Sequence, residues 1–128
     1  MKCPLQGRNM ERVERDKIRK ILIELGIMPN IQGHEDIINA LEVIKKGPDT
    51  KAFACYAIVA EKRKAKAVSV ERCIRYAIQQ IDKESPVYKK FFDVPKLRLT
   101  TFLFLKMLLY GLENGGKNGG NNDTAEQT

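Results

Sequence analysis

Residues 59–79 read Val-Ala-Glu-Lys-Arg-Lys-Ala-Lys-Ala-Val-Ser-Val-Glu-Arg-Cys-Ile-Arg-Tyr-Ala-Ile-Gln, and the pattern predicts two helices joined by a short basic turn. Ala60 is small where the first helix must let the second approach. Val70, Cys73, Ile74, Ala77, Ile78 and Ile81 supply an apolar stripe on the second. Glu71, Arg72, Arg75, Tyr76 and Gln79 recur at three- and four-residue steps, so they share a neighbouring polar face. This is the layout of a helix-turn-helix, a unit that sets its second helix in the major groove of duplex DNA. The turn departs from the usual pattern in having no glycine. Arg63 and Lys64 stand where an apolar residue and a glycine are more common.

The same helical periodicity runs outward in both directions. Residues 11–25 place Ile18, Ile21, Leu22 and Leu25 on one face and Arg12, Arg15, Lys17, Arg19 and Lys20 on the rest, and Gly26 ends that helix. Met28-Pro29-Asn30 form a turn, and Gly33 closes the loop. A second helix over about 34–46 carries Ile37, Ile38, Leu41 and Ile44 inward and stops at Gly47-Pro48-Asp49. A third, about 51–63, is expected to bury Phe53, Tyr56, Ala57 and Ala60. The fourth has Ser69 and Glu71 near its start and continues to about Lys83. Ser85-Pro86 opens a short segment ending in Phe91-Phe92, and Pro95 breaks it. The last helix, about 97–113, is apolar around most of its circumference, from Leu99 through Phe102 to Leu112. Such a helix belongs at the centre of a core or under a second subunit.

No segment alternates with the period of a strand, so the expected fold is all-α. It has five to six helices containing the helix-turn-helix, in a winged-helix-like orthogonal bundle without strands. The domain is expected over 11–113, with a flexible leader at 1–10 and a disordered Gly/Asn-rich tail at 114–128.

Charge narrows the class of partner. Twenty-three Lys and Arg against sixteen Asp and Glu leave a formal charge of +7 in 128 residues, which favours a polyanion. Three cysteines and one histidine share no metal-ligand spacing, so no metal or cofactor is expected and a reducing cytoplasm fits. Cys55 and Cys73 are read as small core residues, and His34 as a helix-start residue. Residues 1–20 have no apolar core of a signal peptide, and no stretch is long and apolar enough for a membrane span. No nucleophile elbow, phosphate-binding Gly loop or paired catalytic carboxylates occur, so the chain is not read as an enzyme.

Two stretches carry a family resemblance. Ile23-Glu24-Leu25-Gly26-Ile27, followed by Ile31-Gln32-Gly33 and Ala40-Leu41, is the first. Val70-Glu71-Arg72-Cys73-Ile74-Arg75-Tyr76-Ala77-Ile78 is the second and more diagnostic. Together they resemble the C-terminal DNA-binding effector domain of the master response regulator of sporulation initiation. The resemblance implies a six-helix domain of a spore-forming bacterium's kind that binds a short duplex element and regulates transcription. It also implies adjacent copies on tandem DNA sites or a homodimer, and a contact with RNA polymerase at the nucleoid. Regulators of that family carry an N-terminal phosphoacceptor receiver domain. About ten residues precede the first helix in this sequence, so an effector domain lacking its receiver is expected. The family's histidine after the second recognition arginine is Tyr76 here, which points to a different target sequence.

The expected base contacts are accordingly Glu71, Arg72, Arg75 and Tyr76, because Arg can donate a bidentate pair to guanine and Glu can accept from a cytosine amino group. Lys62, Arg63, Lys64, Lys66, Ser69 and Gln79 are expected on phosphates. The plainer reading of the same residues is a solvated face with a Glu71–Arg75 ion pair and a basic surface turn. The alternative function is a protein-interaction module that pairs with a related regulator through the apolar C-terminal helix.

Overall fold

The computed structural model describes residues 12–92 and 100–114, which form six helices: α1 (Arg12–Leu25), α2 (Gln32–Lys46), α3 (Ala52–Lys62), α4 (Ala67–Gln79), α5 (Pro86–Phe92) and α6 (Thr101–Glu113). No strand occurs among the described residues, so the fold is all-α. The expected leader, most of the expected tail and the first residues of the expected last helix, with Cys3, Pro95, Leu97 and Leu99, lie outside them. Asn114, read as the start of the tail, is instead bonded to α6. Its backbone N–H and its side-chain amide both donate to the Tyr110 carbonyl.

Local chemistry explains where the helices stop. Gly26 has φ +101°, with its N–H donating to Ile23 O and that of Ile27 to Leu22 O. That is the paired closure that favours glycine after a helix end, with Leu22 and Ile27 both fully buried as its apolar clasp. The remaining carbonyls of α1 are met from far along the chain. Asp82 N–H donates to Leu25 O, and the Ser85 hydroxyl donates to Glu24 O at 3.0 Å while accepting from Val87 N–H at the start of α5. Thr100 caps α6 by accepting from Leu103 N–H, an arrangement whose loss typically costs about 1 kcal/mol.

The centre of the molecule is α2, which packs against α1, α3, α4 and α6. Ile37, Ile38, Ala40, Leu41, Val43 and Ile44 are all buried on it. The last helix packs its inner face into the core. It sends Phe104, Leu105 and Leu108 inward and leaves Leu103, Lys106 and Tyr110 exposed. Phe92 of α5 stacks on Phe104 at 5.3 Å between ring centres, and Tyr88 stacks on Phe92 in turn. This aromatic column fastens α5 to α6.

Gly33 has a different role from closing a loop. It lies in the first turn of α2, where an added Cβ would sit 2.4 Å from the Cys73 carbonyl oxygen and 2.7 Å from the Ala77 methyl. A glycine facing an alanine lets α2 and α4 approach this closely. Two of the five basic residues of α1, Arg15 and Arg19, are spoken for. Arg15 donates to Glu42 and Asn39 of α2, Arg19 pairs with Glu35, and Glu14 pairs with Lys45. These charges staple α1 to the central helix.

The inward face of α3 differs from the expectation. Cys55, Tyr56, Val59 and Ala60 are buried, while Phe53 is 68 % exposed and Ala57 is exposed. The sequence Ala-Phe-Ala-Cys-Tyr-Ala-Ile-Val-Ala is apolar on both faces of a helix, so its periodicity does not choose between them. The fourth helix is shorter than expected, ending at Gln79. The chain must leave there for Asp82 to reach the end of α1.

Candidate nucleic-acid interface

The connection between α3 and α4 is built by a left-handed lysine. Ala65 N–H donates to Ala60 O at 2.9 Å and Lys64 N–H to Glu61 O, the same paired closure seen after α1. The residue that must turn left-handed is Lys64, with φ +56°. This is the position at which the sequence pattern leads one to look for glycine. A residue with a Cβ held there costs roughly 1–2 kcal/mol. The turn geometry is therefore kept despite the substitution, and the lysine side chain stands exposed at its apex.

Arg63 turns inward. Its Nε donates to Asp36 Oδ1 at 2.8 Å and its Nη2 to Asp36 Oδ2 at 2.9 Å, and Nη2 also reaches Cys73 Sγ at 3.7 Å. The Asp36 side chain is fully buried and that of Arg63 is 27 % exposed. Gln32 adds a further bond to Asp36 Oδ1. Burial pushes the Asp36 carboxyl above the ordinary carboxylate range, with Arg63 offsetting part of that. The same bonds hold the Arg63 proton more tightly. A bidentate fork spent on a buried carboxylate is not available to a phosphate. Arg63, expected on the backbone of DNA, instead pins the end of α3 to α2 and to α4.

The outward stripe of α4 is exposed as expected except at Glu71. Val70, Ile74 and Ala77 are fully buried, and burial of side chains the size of Val70 and Ile74 contributes about 1.5–3 kcal/mol each. That fixes the helix roll and leaves Val68, Arg72, Arg75, Tyr76 and Gln79 exposed on one side. Ser69 is half-buried at the margin of this stripe. Cys73, expected in the core, is only half-buried, because it borders the stripe beside Arg63. Among the described residues, Lys64, Lys66 and Arg72 enter no ion pair, whereas Lys62 lies 3.7 Å from Glu42. No acidic side chain falls in the first turn of α4, and its N-cap, Lys66, makes no side-chain bond to the helix.

Glu71 is committed elsewhere. It accepts from Thr101 Oγ1 at 2.9 Å, at the positive end of α6, and approaches Arg75 Nη1 at 3.6 Å. It thus ties α4 to α6 and orients Arg75 more than it offers itself outward. Tyr56 lies near it, packed edge-on against Phe102 at 6.3 Å, and its phenol is pushed up to about 12 by burial first and then by Glu71 and Cys55. Tyr56 is core, as read, and Tyr76 is 53 % exposed.

Two features escape a sequence reading. An open cleft lies beside the stripe, lined by Ile31, Gln32 and Gly33 at the start of α2 and by Arg72, Cys73 and Tyr76 of α4. The Ile31 N-cap makes no side-chain bond to α2, and the surface lining the cleft is almost wholly apolar. The second feature is His34, which is fully buried, with Nδ1 paired to Ile27 O at 3.2 Å and Nε2 without a partner among the described residues. The described residues hold no cluster of three or more His, Cys, Asp or Glu able to bind a metal. No helix among them is long and apolar enough to cross a membrane. No protein-family model matches the sequence, and no curated protein matches it.

Proposed function

We propose that this chain is a sequence-specific double-stranded DNA-binding transcription regulator in which α3 and α4 act as a helix-turn-helix. The observation that carries the reading is the outward stripe of α4, where Arg72, Arg75, Tyr76 and Gln79 stand exposed beside Lys64 and Lys66, which enter no ion pair among the described residues. Arg72 and Arg75 read base edges, with Tyr76 beside them, and Glu71 fixes the direction of Arg75. Lys62, Lys64 and Lys66 hold phosphates at the turn, with Ser69 and Gln79 at the two ends of the stripe. Arg63 has no part in this contact set. The protein works by binding rather than catalysis, in a bacterial cytoplasm, like a sporulation effector domain. Adjacent copies on DNA and RNA polymerase are its further partners.

The alternative, pairing with a related regulator through the C-terminal helix, takes less support. Phe104, Leu105 and Leu108 of α6 point into the core. Selection of the purified protein against a randomised duplex library at about 150 mM salt, where the Debye length is about 8 Å, tests the proposal. An enriched motif is expected. Arg72→Ala should cost about 1–3 kcal/mol on that motif and relax preference at one position, while Lys64→Ala should weaken all duplexes alike. Failure of well-folded protein to enrich any motif, or equal loss on specific and random DNA in Arg72→Ala, would refute base reading.

A further inference from the structure

The face of α3 turned away from the core is apolar and uncovered, and its charges are arranged to complement a second copy of itself. Phe53 is 68 % and Ile58 41 % exposed, and Ala54 and Ala57 lie exposed between them. Lys51 stands exposed just before the helix and Glu61 near its end. Neither makes an ion pair among the described residues. Two such helices packed antiparallel about a two-fold axis between residues 55 and 56 bring unlike partners together. Phe53 meets Ala57 of the second copy, and Ala54 meets its Ile58, so each large side chain lies over a small one. The same register sets Lys51 against Glu61 of the second copy. It also puts that carboxylate at the positive end of the helix. Every contact occurs twice, as a two-fold interface requires.

We infer that α3 is a self-association surface, through which two copies of the chain pair antiparallel by Phe53, Ala54, Ala57 and Ile58 with Lys51–Glu61 ion pairs at both ends. The face is small beside the roughly 1,200–2,000 Å² of stable complexes, so the dimer is weak and concentration-dependent. It forms without DNA, and its test is therefore independent of the DNA-binding proposal.

The test is sedimentation velocity of the full chain at low ionic strength, from low micromolar to near-millimolar loading. A monomer–dimer equilibrium is expected. Ala57→Glu, a change on an exposed helix position, should abolish it while leaving the thermal melt of the monomer unchanged. Lys51→Glu and Glu61→Lys should each weaken association about tenfold, and the double variant should return it to within a few-fold of the original. A chain that stays monomeric throughout would overturn the inference. So would a dimer indifferent to Ala57→Glu, or a charge swap that fails to restore pairing.

Discussion

Removing the Arg63 side chain should unfold much of this protein's margin of stability without removing a DNA contact. In Arg63→Ala the buried Asp36 carboxylate loses both of its guanidinium bonds and keeps only Gln32. Breaking a buried pair from one side costs about 3–5 kcal/mol, against about 5–15 kcal/mol for a whole domain. The sign with pH follows from Asp36, whose carboxyl already titrates above its ordinary value because burial outweighs Arg63. Without Arg63 it rises further. A raised carboxyl weighs against the fold once ionised, so the deficit relative to the parent is complete near neutrality. It shrinks as pH falls through the new value and Asp36 takes a proton.

Urea unfolding of parent and variant between about pH 4 and pH 8 measures this directly. The volume-keeping pair Asp36→Leu with Arg63→Met should recover most of the loss, since no buried charge is left behind. For the DNA proposal, Arg63→Ala protein kept folded at low temperature should bind with an unchanged salt dependence. Lys64→Ala should lower the salt slope by about one. A deficit below about 1 kcal/mol, or one that does not change with pH, would refute the account of Asp36 and Arg63 as a buried staple.

Three further outcomes follow from other parts of the fold. Gly33→Ala should cost several kcal/mol in urea unfolding, because the new methyl must push the Cys73 carbonyl back from 2.4 Å and part α2 from α4. Lys64→Gly should raise stability by up to about 1 kcal/mol with an unchanged m-value, relieving the left-handed backbone, while weakening DNA binding through the lost charge. Above about pH 9 stability should fall, because burial pushes the Cys55 thiol from 9.0 to about 11. The unfolded thiol ionises first and draws the equilibrium by roughly 2–3 kcal/mol before pH 11. Cys55→Ala should flatten that part of a melting-temperature profile, and in the parent Cys55 should react with a maleimide far more slowly than the half-buried Cys73.

Much of the backbone plan was legible in the residues because its determinants are local. Gly26, Gly47-Pro48 and Ser85-Pro86 mark ends by their own backbone preferences. The three- and four-residue spacing of Val70, Ile74 and Ala77 decides which side of α4 is inward. The exposed Arg72, Arg75, Tyr76 and Gln79 follow from that spacing alone. Where the spacing was silent, as in the evenly apolar α3, the expected burial of Phe53 and Ala57 gave way to that of Val59, beside Cys55 and Tyr56, which are core as read. Only packing against α2 and α4 could choose between its two faces.

The local pattern of the chain was enough to determine an all-helical fold and the basic, outward side of α4, since helix periodicity and turn chemistry act over a few residues. Tertiary structure alone decided which charges remain free. Arg63 meets Asp36 across 27 positions, Thr101 meets Glu71 across 30, and Arg15 meets Glu42 across 27. A charged side chain reads the same in sequence whether it faces water or a carboxylate. What distinguishes the two is the desolvation and pairing that arise only when distant segments pack together.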